Sequence, residues 1–129
     1  MSAWAEGIAA STIFVEDLSA SKKFYLNVFE APILFEDEHS VAFKFGGTII
    51  NLLRTTHVPE LIDPATAAPR EAGVRLLFTV EVDDVDAKCA ELAAAGVELV
   101  NGPMDRRWGP RTASFRDLDG YMWEIAQGQ

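Results

Sequence analysis

The side chains of this sequence that could do chemistry are few, and most lie in apolar surroundings. Glu124 falls within Tyr121-Met122-Trp123-Glu124-Ile125-Ala126, and Asn51 within Thr48-Ile49-Ile50-Asn51-Leu52-Leu53. A carboxylate in such a stretch can act as a general base or pair with a cationic group on a ligand. Trp108 stands in Arg106-Arg107-Trp108-Gly109-Pro110-Arg111. Its flat ring can stack on a planar ligand, and a neighbouring arginine can hold a ligand carboxylate or phosphate. The competing uses are structural: a core or dimer-interface ring for Trp108, and a solvated rim for the arginines. His39 and His57 fall in polar connections and read as surface histidines rather than ligands. The lone Cys89 sits at apolar helical spacing between Val85 and Leu92, the place of a small buried thiol. A single cysteine makes neither a disulfide framework nor a cysteine-based zinc site within one chain.

The elements that must position these groups come as an internal repeat. The stretch starting at Val15-Glu16-Asp17-Leu18 is echoed 67 positions later by Val82-Asp83-Asp84-Val85. In each copy an apolar strand meets an acidic helix start and an amphipathic helix. The pattern predicts a strand over 8–15, a helix capped by Asp17 or Ser19 and running to about residue 29, and strands over 33–35, 41–45 and 48–53. Gly46-Gly47 marks the turn between the last two. The second copy predicts a strand over 74–82, a helix capped by Asp83 or Asp84 and ended near Gly96, and strands over 97–100, 111–116 and 121–126. Asp119-Gly120 turns the chain between the last pair. Residues 55–72 carry Pro59, Pro64 and Pro69 with no apolar period, which predicts an irregular connector. The expected fold class is therefore α+β. One domain over 1–129 holds a βαβββ module at 8–54, the connector at 55–72, and a second βαβββ module at 73–127.

Composition bounds the function. At 129 residues and 49% hydrophobic, the chain has material for one real core. Twenty acidic against eleven basic residues give a net charge of −9, which argues against nucleic acid and anionic membranes as partners. No run of about 18 apolar residues is present, and the first residues lack the pattern of a secretion signal, so a cytoplasmic location is expected.

Strand alternation then selects a face. Ala10, Thr12 and Phe14 share one side of the first strand, while Ile13 and Val15 lie on the side a helix would cover. The same count groups Asn51 with Ile49 and Leu53, Leu77 with Thr79, and Glu124 with Met122. The glycine turns also align Asn51 with Glu124. An apolar cup with a few polar groups suits a small molecule, and its expected lining is Thr12, Phe14, Asn51, Thr79, Trp108, Arg111 and Glu124.

Two βαβββ modules, the Val-x-Asp-Leu-x-x-Ser-x-x-Phe-Tyr stretch at 15–25, and Trp108-Gly109-Pro110-Arg111 leading into Arg116-Asp117-Leu118-Asp119-Gly120-Tyr121-Met122-Trp123-Glu124 resemble the vicinal oxygen chelate superfamily. That group includes glyoxalase I, extradiol dioxygenases, fosfomycin resistance enzymes and bleomycin resistance proteins. The resemblance covers nearly the whole chain and implies modules folded as a curved mixed sheet around a cavity, helices outside, in a homodimer. Its enzymes hold a divalent metal on the first and last strands of each module. Here those positions fall on Ala10, Asn51, Leu77 and Glu124, of which only Glu124 keeps a ligand identity. The chain is thus closest in type to the metal-free bleomycin resistance-like proteins. The expectation is a small-molecule-binding protein with no metal and no cofactor, sequestering a planar or cationic compound. The alternative is a lyase, isomerase or dioxygenase-like enzyme using Glu124 as its catalytic group, or an unconventional metal site.

Overall fold

In the computed structural model, which describes residues 4–128, the alternation of the first strand is visible as burial. Along β1 (Ala10–Val15), Ile13 and Val15 are 2% and 0% exposed, while Ala10 and Thr12 are open. The buried side is covered by α1 (Leu18–Phe29), whose first turn is fixed by the Asp17 carboxylate accepting the Ala20 N–H at 3.0 Å. Asp17, not Ser19, is therefore the cap. The helix stops at Glu30, which takes a left-handed conformation, and Pro32 prevents its continuation. From its inner face Tyr25 stacks on Phe43 with ring centroids 5.7 Å apart, and Phe29 and Phe45 close the cluster.

The chain divides into two compact units, residues 1–68 and 69–129, with the boundary inside the expected connector. The first contains β1, α1, β2 (Ile33–Glu36), β3 (Ser40–Phe45) and β4 (Thr48–Arg54), followed by the four-residue helix α2 (Pro59–Ile62). Its sheet has the order β1-β4-β3-β2, with β1 and β4 parallel and the other pairs antiparallel. The second unit contains β5 (Leu77–Glu81), α3 (Val85–Ala94), β6 (Leu99–Asp105), β7 (Arg111–Arg116) and β8 (Met122–Gln127). Its order, β5-β8-β7-β6, repeats the first, again with one parallel pair at the edge. Both modules are βαβββ, and each builds its own four-stranded mixed sheet.

Apolar side chains cement the second module on one side only. Trp123, Phe115, Ala113 and Ile125 are buried on the face that carries α3, with Phe78 packed on Trp123 at 4.7 Å. The start of α3 is held twice: Asp84 accepts the Ala87 N–H, and the Gln127 side chain accepts the Val85 N–H at 2.8 Å. The turn into β8 is stiff as well. Asp117 accepts the backbone N–H groups of Asp119 and Tyr121, and the buried Asp119 pairs with Arg70 at 3.0 Å.

The main departures from the sequence expectation lie in the second module and the connector. The strand expected at 74–82 begins only at Leu77, because pairing with β8 starts at Leu77–Met122. The strand expected at 97–100 runs on to Asp105, since irregular pairing with β7 continues to Asp105–Arg111. The connector is not wholly irregular, for it holds α2 and single helical turns at Thr55–His57 and Arg70–Ala72. Such one-turn elements have no apolar period to announce them.

Candidate functional site

Each sheet turns its polar row to the side away from its helix. In the second module, residues paired strand to strand form the row Thr79, Glu124, Ser114 and Asn101. Paired residues project to the same face, so these four side chains stand together. Thr79 Oγ1 donates to Glu124 Oε1 at 2.9 Å, which fixes one carboxylate oxygen and turns the group along the row. Glu124 is half-buried, Thr79 is open, and Ser114 is buried. The corresponding row in the first module is Thr12, Asn51, Ala42 and Phe35. Thr12 pairs with Asn51 as Thr79 pairs with Glu124, so the alignment of Asn51 with Glu124 holds in the strand register. The first row is the more apolar, and Phe35 is 58% exposed on it. Phe14 lies on the same side of β1 as Thr12, paired with the buried Leu53.

The connection from β6 to β7 holds the basic and aromatic residues. Backbone bonds from Arg106 N–H to Pro110 and from Gly109 N–H to Arg106 close it. Trp108 is 65% exposed there, with the guanidinium carbons of Arg106 and Arg107 at 6.0 and 5.8 Å from its ring. Both are at the outer limit of a cation–π contact. Trp108 is thus not a core residue of the single chain.

Arg111 departs from its expected place in the lining. Counting along β7, it shares a face with Ala113 and Phe115, the helix side, and its guanidinium binds Asp86 of α3 through two N–H groups at 2.9 and 3.0 Å. A further bond reaches Asp105 at 3.1 Å. The Arg111 hydrogen bonds hold the Asp86 carboxyl below the usual carboxylate range, and the two carboxylates raise Arg111 in return. This is a structural clamp between α3 and the β6–β7 pair. Arg106 is the arginine on the open side. Its Nε donates to Thr112 Oγ1 at 2.8 Å and its Nη2 to Asn101 Oδ1 at 3.0 Å.

The sequence expectation named Arg106 only as one of the arginines beside Trp108, and left Ser114 and Asn101 out of the lining, although the strand register sets both in the row with Glu124. The alternation Thr112, Ser114 against Ala113, Phe115 carried the signal for Ser114. Asn101 gave none, because irregular pairing in β6 breaks the count. The two histidines, apart in sequence, meet face to face at the end of the first sheet, with ring centroids 3.4 Å apart. Cys89 is half-buried, and desolvation pushes its thiol above the ordinary range, the opposite of an activated nucleophile.

The donor set does not suit the divalent metal that the vicinal oxygen chelate resemblance implies. Ala10 and Leu77 offer no donor atom, Asn51 offers an amide, and Glu124 alone is a carboxylate. Among the described residues no three or more of His, Cys, Asp and Glu gather in a way that could hold a metal ion.

Comparison with known proteins places this arrangement. The curated relatives include the metallothiol transferase FosB of Shouchella clausii, 28% identical over 126 residues that cover 95% of this chain and 80% of the relative. A glyoxalase/bleomycin resistance protein/dioxygenase from Nocardioides has the same fold, with TM-score 0.86 and 22% identity over 98% of this chain and 86% of that one. So does the fosfomycin resistance protein FosX of Listeria monocytogenes, solved with Mn(II) and sulfate, with TM-score 0.76 and 19% identity over 97% and 92% of the two chains. The family model matches residues 7–125, and the chain belongs to the Glyoxalase/Bleomycin resistance protein/Dioxygenase superfamily.

Proposed function

We propose that this protein binds a small planar or cationic molecule on the open face of the second sheet, with Glu124 as its anchor, and withholds it from solution without a resident metal and without turnover. The observation that carries the reading is the Thr79–Glu124 hydrogen bond on an open, polar-centred row. A carboxylate oriented by a neighbouring hydroxyl is a ready acceptor for an ammonium or amidine-like group. Thr12, Phe14 and Asn51 give the first sheet an open face of its own with apolar and amide surface, of the kind that suits a small molecule. Trp108 adds an exposed ring. The superfamily resemblance supports a homodimer as the working form.

What disfavours turnover is the chemistry of the side chains. The positions that the superfamily resemblance gives to metal ligands hold Ala10 and Leu77, and the side chain hydrogen-bonded to Glu124 is a threonine hydroxyl. A second reading, in which Glu124 is the general base of a lyase, isomerase or dioxygenase-like reaction, draws on one observation: curated relatives are named as transferases. The two readings separate on calorimetric titration with 4-methylbenzylamine in the presence of EDTA. Glu124→Gln is expected to weaken binding by about tenfold, the worth of one charge-assisted hydrogen bond. Binding that disappears with EDTA, or that ignores the substitution, contradicts the proposal.

A further inference from the structure

Arg106 has a use that the site described so far does not employ. It lies against the open side of the second sheet, held by Thr112 through Nε and by Asn101 through Nη2. Both acceptors are neutral. The carboxylate next to it in the chain, Asp105, is bound to Arg111, as is Asp86. Among the described residues no carboxylate pairs with Arg106, and the N–H groups on Nη1 have no acceptor. A chain of net charge −9 with many carboxylates leaves this guanidinium uncompensated on the same face as Glu124. The bonds at Nε and Nη2 use one edge of the group, so the outer Nη1–Nη2 edge remains as a planar fork, the geometry that matches a carboxylate.

The spacing between Asn101, the partner of Arg106, and Glu124 follows from the strand register. Glu124 pairs with Ser114 and Ser114 with Asn101, so the Glu124 and Asn101 backbones are two strand spacings apart, about 10 Å. A ring spans that gap. We propose that Arg106 is the anchor for a carboxylate on the ligand, and that the ligand class is a small planar zwitterion with a cationic group over Glu124 and a carboxylate at its far end on Arg106. This inference rests on the reading of Glu124 as a cation anchor. Trp108 stands beside the Arg106 end and borders the carboxylate's ring.

The test uses the full-length protein and three probes: 4-(aminomethyl)benzoate, 4-methylbenzylamine, which lacks the carboxylate, and 4-methylbenzoate, which lacks the amine. Affinities come from calorimetry, and the Arg106 Nε–Hε signal of ¹⁵N-labelled protein reports contact directly. The zwitterion is expected to bind at least about tenfold more tightly than 4-methylbenzylamine and to shift the Arg106 signal. Arg106→Gln should remove that advantage and leave 4-methylbenzylamine unchanged, while Arg106→Lys should restore only part of it, because an ammonium lacks the fork. Equal affinity of the zwitterion and 4-methylbenzylamine for the native protein, or an advantage that survives Arg106→Gln, overturns the inference and leaves the Glu124 reading standing. Failure of both amines to bind overturns that reading and the inference with it.

Discussion

Asn51 and Glu124 occupy the same place in the two modules, each paired in parallel register with a threonine of the edge strand, Thr12 and Thr79 respectively. The repeat thus preserves a polar centre on each open face and puts a carboxylate in only one of them. Removing the hydroxyl beside that carboxylate tests whether orientation matters. Thr79→Val should weaken binding of 4-methylbenzylamine by about threefold to tenfold, the range for one lost hydrogen bond. Because Thr79 is exposed, its unfolding midpoint in urea should barely move.

Tyr25 joins α1 to the first sheet through ring contacts with Phe43 and Phe45, packs on Phe29 of its own helix, and is 0% exposed. Tyr25→Ala leaves a large void among these rings. The expected loss is about 3–5 kcal/mol in urea denaturation, as for other buried aromatic truncations.

Gly102 lies where β6 bends against β7, at φ +85°. A methyl group there would sit 2.5 Å from the Thr112 carbonyl oxygen and 2.8 Å from the Ala113 Cα, both backbone atoms that cannot swing aside. Gly102→Ala should destabilise the protein by more than about 2 kcal/mol. It should also disturb the strand that presents Thr112, so ligand binding and stability should fall together.

The Arg111 clamp gives a signed pH dependence. Hydrogen bonds from Arg111 hold the folded-state value of Asp86 below that of an ordinary carboxylate. The pair's contribution to stability is therefore fully present above the ordinary carboxylate range and is lost as pH falls through the lowered folded value. A ¹³C carboxyl titration should place Asp86 below the exposed carboxylates of the chain, and Arg111→Gln should return it to the ordinary range. A value for Asp86 unaffected by that substitution would show the clamp to be loose in solution.

Much of this architecture was legible in the sequence. The spacing of the two acidic caps located both helices, and the alternation of Thr12 with Ile13 and of Glu124 with Trp123 assigned the faces, because local periodicity carries that information. What escaped depends on partners distant in the chain. Nothing local says that β5 starts at Leu77; the start of β8 decides it. Nothing local says where Arg106 turns either, for its partner Asn101 lies on β6, whereas the place of Arg111 was open to counting. Alternation along β7 would have set Arg111 with Ala113 and Phe115, on the helix side. The His39–His57 stack is likewise a product of chain return, with no sequence signal.

The most direct test of binding without a resident metal is the metal content of the untagged protein after growth with added zinc, nickel, manganese and iron, read together with its affinity for 4-methylbenzylamine before and after EDTA dialysis. The protein should be folded with far less than one metal ion per chain, and its affinity should be unchanged by EDTA. A stoichiometric metal that is lost in Glu124→Ala, with binding lost alongside it, would contradict the account and make Glu124 a metal ligand.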